Sequence, residues 1–196
     1  MFVRAILFLI VAAIALPAQY GRPVENPTVL IKTDLGDITV EVYAQKAPPT
    51  AANFLRYVDA GLYNGSTFHR TVTLDNQPND EIKIEVIQGG VLPDDKAFPL
   101  LPLERTVATG VQHLDGTISM ARGGPDTATS SFFICVNDQP QLDFGGRRNK
   151  DGQGFAAFGR VIAGMDVVRK IQQAPHEGQN LTPPVKIISV TRVAKQ

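Results

Sequence analysis

"TVLIKTDLGDITVEVY", residues 28–43, holds two alternating β-branched runs on either side of Asp34-Leu35-Gly36-Asp37. Two such runs joined by a short turn of Asp and Gly signal a β-hairpin, and therefore antiparallel pairing. Further strand-like runs follow at "STFHRTV" (66–72), "EIKIEVIQ" (81–88), "TISMAR" (117–122), "SSFFICV" (130–136), "GFAAFGRVIAG" (154–164) and "PVKIISVTRV" (184–193). The period changes in only two places. In "APPTAANFLRYVDAGLYNG" (47–65), Phe54, Leu55, Val58 and Leu62 fit one helical face, with Pro49 suited to a first turn and Gly61 to a stop. "MDVVRKIQQ" (165–173) is a second short helix, stopped before Pro175. About eight strands, two helices and no βαβ alternation favour a closed antiparallel barrel or a sandwich. Residues 89–116 carry three prolines and no clean period, and read as a long irregular connection.

The chain has 196 residues, of which 43% are hydrophobic and 19% charged, an ordinary globular composition that predicts one domain with a real core. Lys+Arg and Asp+Glu both number 19. With no basic stripe, nucleic acid is not an expected partner. Residues 1–18 have the layout of a secretory signal peptide: basic Arg4, an apolar run from Ala5 to Leu16, then Pro17 and Ala18. Cleavage is expected after Ala18, with Ala15 as the alternative, followed by a lead-in at 19–27 and one domain at 28–196. The mature chain is expected to be exported, periplasmic or secreted, monomeric, and without stable membrane association.

Several chemistries find no support. His69, His113 and His176 are widely separated, and no HExxH or Cys/His cluster occurs, so no metal and no cofactor is expected. There is no G-x-S-x-G elbow and no glycine-rich loop opening a helix. The single cysteine, Cys135, lies in an apolar strand and reads as a buried thiol rather than a nucleophile.

What remains is Arg70. Strict alternation along residues 66–72 puts it on one face with Phe68 and Val72, a cation among apolar neighbours. With "EIKIEVIQ" and "SSFFICV" alongside, the strands would form an apolar groove carrying one guanidinium and a few amide or hydroxyl groups. Such a site has no nucleophile and no usable base, which leaves binding and electrostatic stabilisation.

"FHR" at 68–70, "QGG" at 88–90, "GTISMAR" at 116–122, "SSFFI" at 130–134 and "FAAFGRVIAGMDVV" at 155–168 resemble the cyclophilin family of peptidyl-prolyl cis/trans isomerases, exported bacterial members in particular. The resemblance covers about Thr28 to Val193. It implies a closed eight-stranded antiparallel barrel capped by two short helices, proline-containing polypeptides as partners, and isomerisation of X–Pro bonds during folding of exported proteins. The alternative is a catalytically weak proline-peptide-binding module or chaperone on the same fold. By position, the resemblance implies Arg70 as the catalytic donor. It implies Phe133 as the floor of a proline pocket, with Val86, Ala121, Leu142 and Phe155 around it. Gln88 would orient the arginine, Arg122 and Gly123 would pair with the substrate backbone, and Ser131 takes the place of a glutamine that reaches the substrate.

The departures from the family pattern are Glu85 where a phenylalanine is usual, Ser131, Gln141 in place of a tryptophan or phenylalanine, Phe155 in place of histidine or tyrosine, and a longer loop between Arg70 and Gln88. A Glu85 turned toward Arg70 would form an ion pair and compete for its donors.

Overall fold

The structure is a computed structural model, and it describes residues 25–194. The signal-peptide reading of 1–18 lies outside them. Nine strands form: β1 (Thr28–Thr33), β2 (Gly36–Val42), β3 (Thr67–Val72), β4 (Val86–Gly89), β5 (Thr117–Met120), β6 (Phe132–Cys135), β7 (Ala156–Ala163), β8 (His176–Glu177) and β9 (Asn180–Arg192). The helices are α1 (Pro48–Asp59), α2 (Thr106–Thr109) and α3 (Met165–Gln172). All strand pairings are antiparallel, in the order β1-β2-β7-β5-β6-β4-β3-β9, and β9 returns to pair with β1. Eight strands therefore close a barrel, while the two-residue β8 hangs on β9.

The opening hairpin shows how the pattern becomes a wall. Thr33 pairs with Gly36 across Asp34-Leu35, and the Thr33 hydroxyl donates to the Gly36 carbonyl at 2.7 Å. Gly36 sits at φ +134°, which side-chain-bearing residues rarely adopt. Val29, Ile31, Ile38, Val40 and Val42 then all point inward and are fully buried. They meet an aromatic cluster in which Phe132 takes Phe54, Tyr63 and Phe68 edge-on at 5.4–5.8 Å, a favoured ring geometry. Helix α1, with Pro48 and Pro49 in its first turn, packs Phe54 and Tyr57 into this core and lies on β7 and β9. Helix α3 buries Val167, Val168 and Ile171 and lies on β2, β3 and β4.

The barrel wall is tight at Gly159, which sits between β2 and β5. A Cβ there would lie 2.3 Å from the Glu41 carbonyl oxygen, and backbone cannot move aside as a side chain can. Gly159→Ala is expected to destabilise the fold by about 1–3 kcal/mol, read as a shifted urea midpoint at constant slope.

The structure differs from the sequence reading in three places. The expected two helices become three, because the single turn α2 sits inside the stretch that lacked a period. The strand expected at 81–88 is limited to Val86–Gly89. Before it, the Gln77 side chain replaces a strand partner: its Oε1 accepts from Ile84 N–H at 3.2 Å, and its Nε2 donates to Ile84 O at 2.8 Å and to Thr73 O at 2.6 Å. Finally, the register of β3 shifts between Phe68 and Arg70 against both β4 and β9. His69 is the extra residue of a β-bulge, so faces exchange across it. Phe68 points into the main core, whereas Arg70 and Val72 face the outside of the barrel, where a second, smaller cluster lies.

Candidate active site

The outward cluster consists of Val72, Ile84, Val86, Phe133, Cys135 and Leu142, with Ala121 and Phe155 packed against it. The strand register builds it. Arg70 pairs with Gln88, Gln88 with Phe133, and Phe133 with Ser119, so one row of the wall runs guanidinium, amide, phenyl, hydroxyl. The next row is Val72, Val86 and Cys135. A cavity of about 200 Å³ opens on these rows, with Phe133, Val86, Ile84, Leu142, Ala121 and Phe155 as apolar lining and Arg70, Gln88, Arg122, Arg148 and Asn149 as polar lining.

Phe133 is held between two rings. It is 4% exposed, Phe155 meets it edge-on at 5.3 Å, and His113 stacks parallel to it at 5.9 Å. His113 is itself fixed: Nδ1 lies 2.7 Å from Asp143 Oδ1 and Nε2 3.0 Å from Ser119 Oγ. With Nδ1–H donating to the carboxylate, Nε2 accepts from the serine hydroxyl. Ser119, His113 and Asp143 thus repeat the contacts of a hydrolase triad, but Ser119 and His113 are fully buried and no substrate carbonyl reaches the hydroxyl. The trio supports the pocket floor. Cys135 is fully buried, and burial pushes its thiol well above the ordinary range, which keeps it out of nucleophilic chemistry.

Arg70 stands half-buried at the rim. Its Nη1 donates to Gln88 Oε1 at 2.8 Å, while Nε, at 2.9 Å, and Nη2 both donate to Gln179 Oε1. Gln88 in turn donates to Ser131 Oγ at 3.1 Å, and Gln179 to the Asn76 carbonyl at 3.2 Å. Both partners are neutral, so the charge of Arg70 is oriented without being cancelled. Of the five N–H groups of a guanidinium, three are used, which leaves two for a ligand. Burial, and then the nearby Arg148, lower the Arg70 pKa, with Asp80 acting in the opposite direction; arginine stays protonated through such shifts.

Glu85 does not approach this guanidinium. Its carboxylate accepts from Asn137 Nδ2 at 2.9 Å, and Ile84 occupies the pocket instead. Gln141 is also turned to another task. Its side-chain oxygen accepts from Arg147 N–H and its carbonyl from Arg148 N–H, which shapes the loop that follows. Ser131 supports Gln88, and the Gly123 N–H is taken by Thr127 Oγ1 at 3.1 Å, so neither residue lines the cavity. Arg122 lines it, with its charge bound by Asp151 through two contacts of 2.8 and 3.0 Å. Sequence reasoning missed Gln179, His113, Arg148 and Asn149. Gln179 is 109 residues from Arg70 in the chain, and no local pattern announces that contact.

The bulge residue carries a pH signature. Burial, then the charge of Arg70, hold the His69 imidazole below its ordinary 6.5. The native state therefore resists a proton that the unfolded chain accepts, and stability falls as pH drops through and below that value. Melting curves between pH 7.5 and 5 are expected to show this loss in the native protein and less of it in His69→Gln.

Known proteins share the sequence and the fold. Residues 28–192 match the family described as cyclophilin type peptidyl-prolyl cis-trans isomerase/CLD. A peptidyl-prolyl cis-trans isomerase of Acinetobacter baylyi is 40% identical over 173 residues, covering 84% of this chain and 85% of its own. Peptidyl-prolyl cis-trans isomerase A of Dickeya dadantii is 37% identical, covering 86% and 85%. Peptidyl-prolyl cis-trans isomerase B of Escherichia coli is 36% identical, covering 74% and 83%. Among solved structures, a Cryptosporidium parvum cyclophilin type isomerase superposes with a TM-score of 0.67 at 22% identity, over 87% of this chain and 99% of that one, which shows the shared fold. The chain belongs to the cyclophilin-type peptidyl-prolyl cis-trans isomerases.

Proposed function

We propose that the pocket under Arg70 holds the proline ring of an X–Pro peptide, and that Arg70 is the catalytic donor. The observation that carries this reading is an uncancelled guanidinium, fixed by two glutamines at the rim of an apolar cavity. The barrier to X–Pro rotation, ~18–20 kcal/mol, comes from amide resonance. In the twisted amide, resonance is lost and the prolyl nitrogen becomes pyramidal and basic. A donor aimed at it stabilises the twisted form and does little for either planar form, which is the condition for catalysis. Phe133, Val86, Ile84 and Leu142 hold the ring still while the preceding carbonyl turns. A relative of the same fold, from Cryptosporidium parvum, has been crystallised in the presence of the dipeptide Ala-Pro, which supports proline-containing polypeptides as partners here.

We further infer that the chain works outside the cytoplasm, on exported proteins whose folding waits on proline isomerisation. The N-terminal residue pattern supports this. Expression of the full chain in a bacterial host, followed by fractionation and N-terminal sequencing, tests it. A mature, extracytoplasmic product beginning after Ala18 or Ala15 is expected; an uncleaved cytoplasmic product overturns the export reading.

A further inference from the structure

The cavity has an unbalanced lining. Three guanidiniums border it, from Arg70, Arg122 and Arg148, and among the described residues no carboxylate does. The three are not equivalent. Arg122 is matched by Asp151 in a two-point contact and donates through Nε to Gly154 O. Among the described residues Arg70 has only glutamine partners. Arg148 spends a single nitrogen, Nη1, on the Ile82 carbonyl at 2.6 Å and on Asp80 at 3.2 Å, and Asp80 is itself 44% exposed. The other edge of the Arg148 fork has no partner among the described residues. Beside it, Asn149 Nδ2 is a buried donor with no acceptor among the described residues. A buried donor left unpaired is costly, as is a pair of like charges facing one cavity.

Such a wall calls for oxygen acceptors, and a negative charge satisfies it best. Arginine's planar fork suits a carboxylate in particular. We propose that Arg148, with Asn149, forms a carboxylate subsite on the proline pocket, so that the enzyme favours X–Pro peptides in which Glu or Asp flanks the proline. This rests on the reading that the cavity holds the proline ring. Two loops create the subsite: residues 73–85, which carry Asp80 and Ile82, and residues 143–154, which carry Arg148 and are tied to Gln141 by the Arg147 and Arg148 amides. Asp80 acts as a stand-in anion that a substrate carboxylate displaces or joins.

The test compares kcat/KM for matched peptides with Glu, Gln or Lys placed in turn before and after the proline. Turnover of the Glu peptide is expected to exceed that of the Gln peptide by about five- to tenfold at one of the two positions, with Lys below both and the spread narrowing in high salt. In Arg148→Gln the Glu-to-Gln ratio should fall to about one. In Asp80→Asn, where the competing carboxylate is gone, it should rise; a merely structural role for the Arg148–Asp80 pair would move both variants alike. Equal turnover of the Glu, Gln and Lys peptides overturns the subsite and leaves the pocket reading standing. No turnover of any of them overturns both.

Discussion

Arg70→Ala is expected to lower kcat/KM for an Ala-Pro peptide by about 10–1,000-fold, or about 1.4–4 kcal/mol of transition-state stabilisation. The loss should fall mainly on kcat, because the guanidinium acts on the twisted amide and not on the ring. The fold should survive, since Arg70 is half-buried and its partners are the two glutamine side chains at the pocket rim. Arg70→Lys is expected to recover little, because a compact ammonium lacks the planar fork that spans Gln88 and Gln179 and aims the remaining donors in a fixed direction. A related loss is expected in Gln179→Leu, which leaves Arg70 anchored on one side only. If Arg70→Ala turns over at the native rate, Arg70 has no part in the chemistry.

The second large effect is at the pocket floor. Phe133→Ala removes a ring that is 4% exposed and packed against both Phe155 and His113. A buried Phe→Ala change costs about 3–5 kcal/mol, which for a chain of this size lowers Tm by roughly 6–20 °C. Peptide binding should be lost in the fraction that stays folded, because the proline ring has nothing to lie on. Phe133→Leu, which keeps most of the volume, separates the two effects: near-native Tm with clearly weakened binding is expected. A folded Phe133→Ala protein that binds peptide normally would place the pocket elsewhere on the barrel.

The barrel was legible because its wall obeys period 2. The residues 28–43 hairpin, the apolar run at 130–136 and the strand at 154–164 all lie within or close to their expected limits. Legibility failed where side chains replaced backbone pairing. Gln77 satisfies Ile84 in place of a neighbouring strand, so an alternating run from 81 to 85 is not a strand. A bulge at His69 is invisible to alternation, yet it decides that Arg70 shares a face with Val72 and not with Phe68. The apolar residues around the pocket could be named from the resemblance because they sit in strands, as Val86 and Phe133 do, or next to a strand end, as Ala121 and Phe155 do, with Leu142 in the short turn Pro140–Leu142. Gln179, Arg148 and Asn149 could not, because they reach the pocket from turns and loops whose course depends on tertiary contacts. Glu85 shows the converse: a residue at a pocket position by sequence can turn to a partner outside the pocket, here Asn137.

On the reading proposed above, an X–Pro bond turns over on the outer wall of the barrel beneath Arg70. Exchange NMR of a labelled Ala-Pro peptide with the purified protein tests it directly. The uncatalysed cis and trans forms interconvert over tens to hundreds of seconds, so exchange cross-peaks within a second report catalysis. Such cross-peaks are expected, together with peptide-dependent shifts at Gln88, Ala121 and Phe133. Absence of exchange, or shifts confined to the separate groove around Pro49, Arg56 and Leu100, would contradict it.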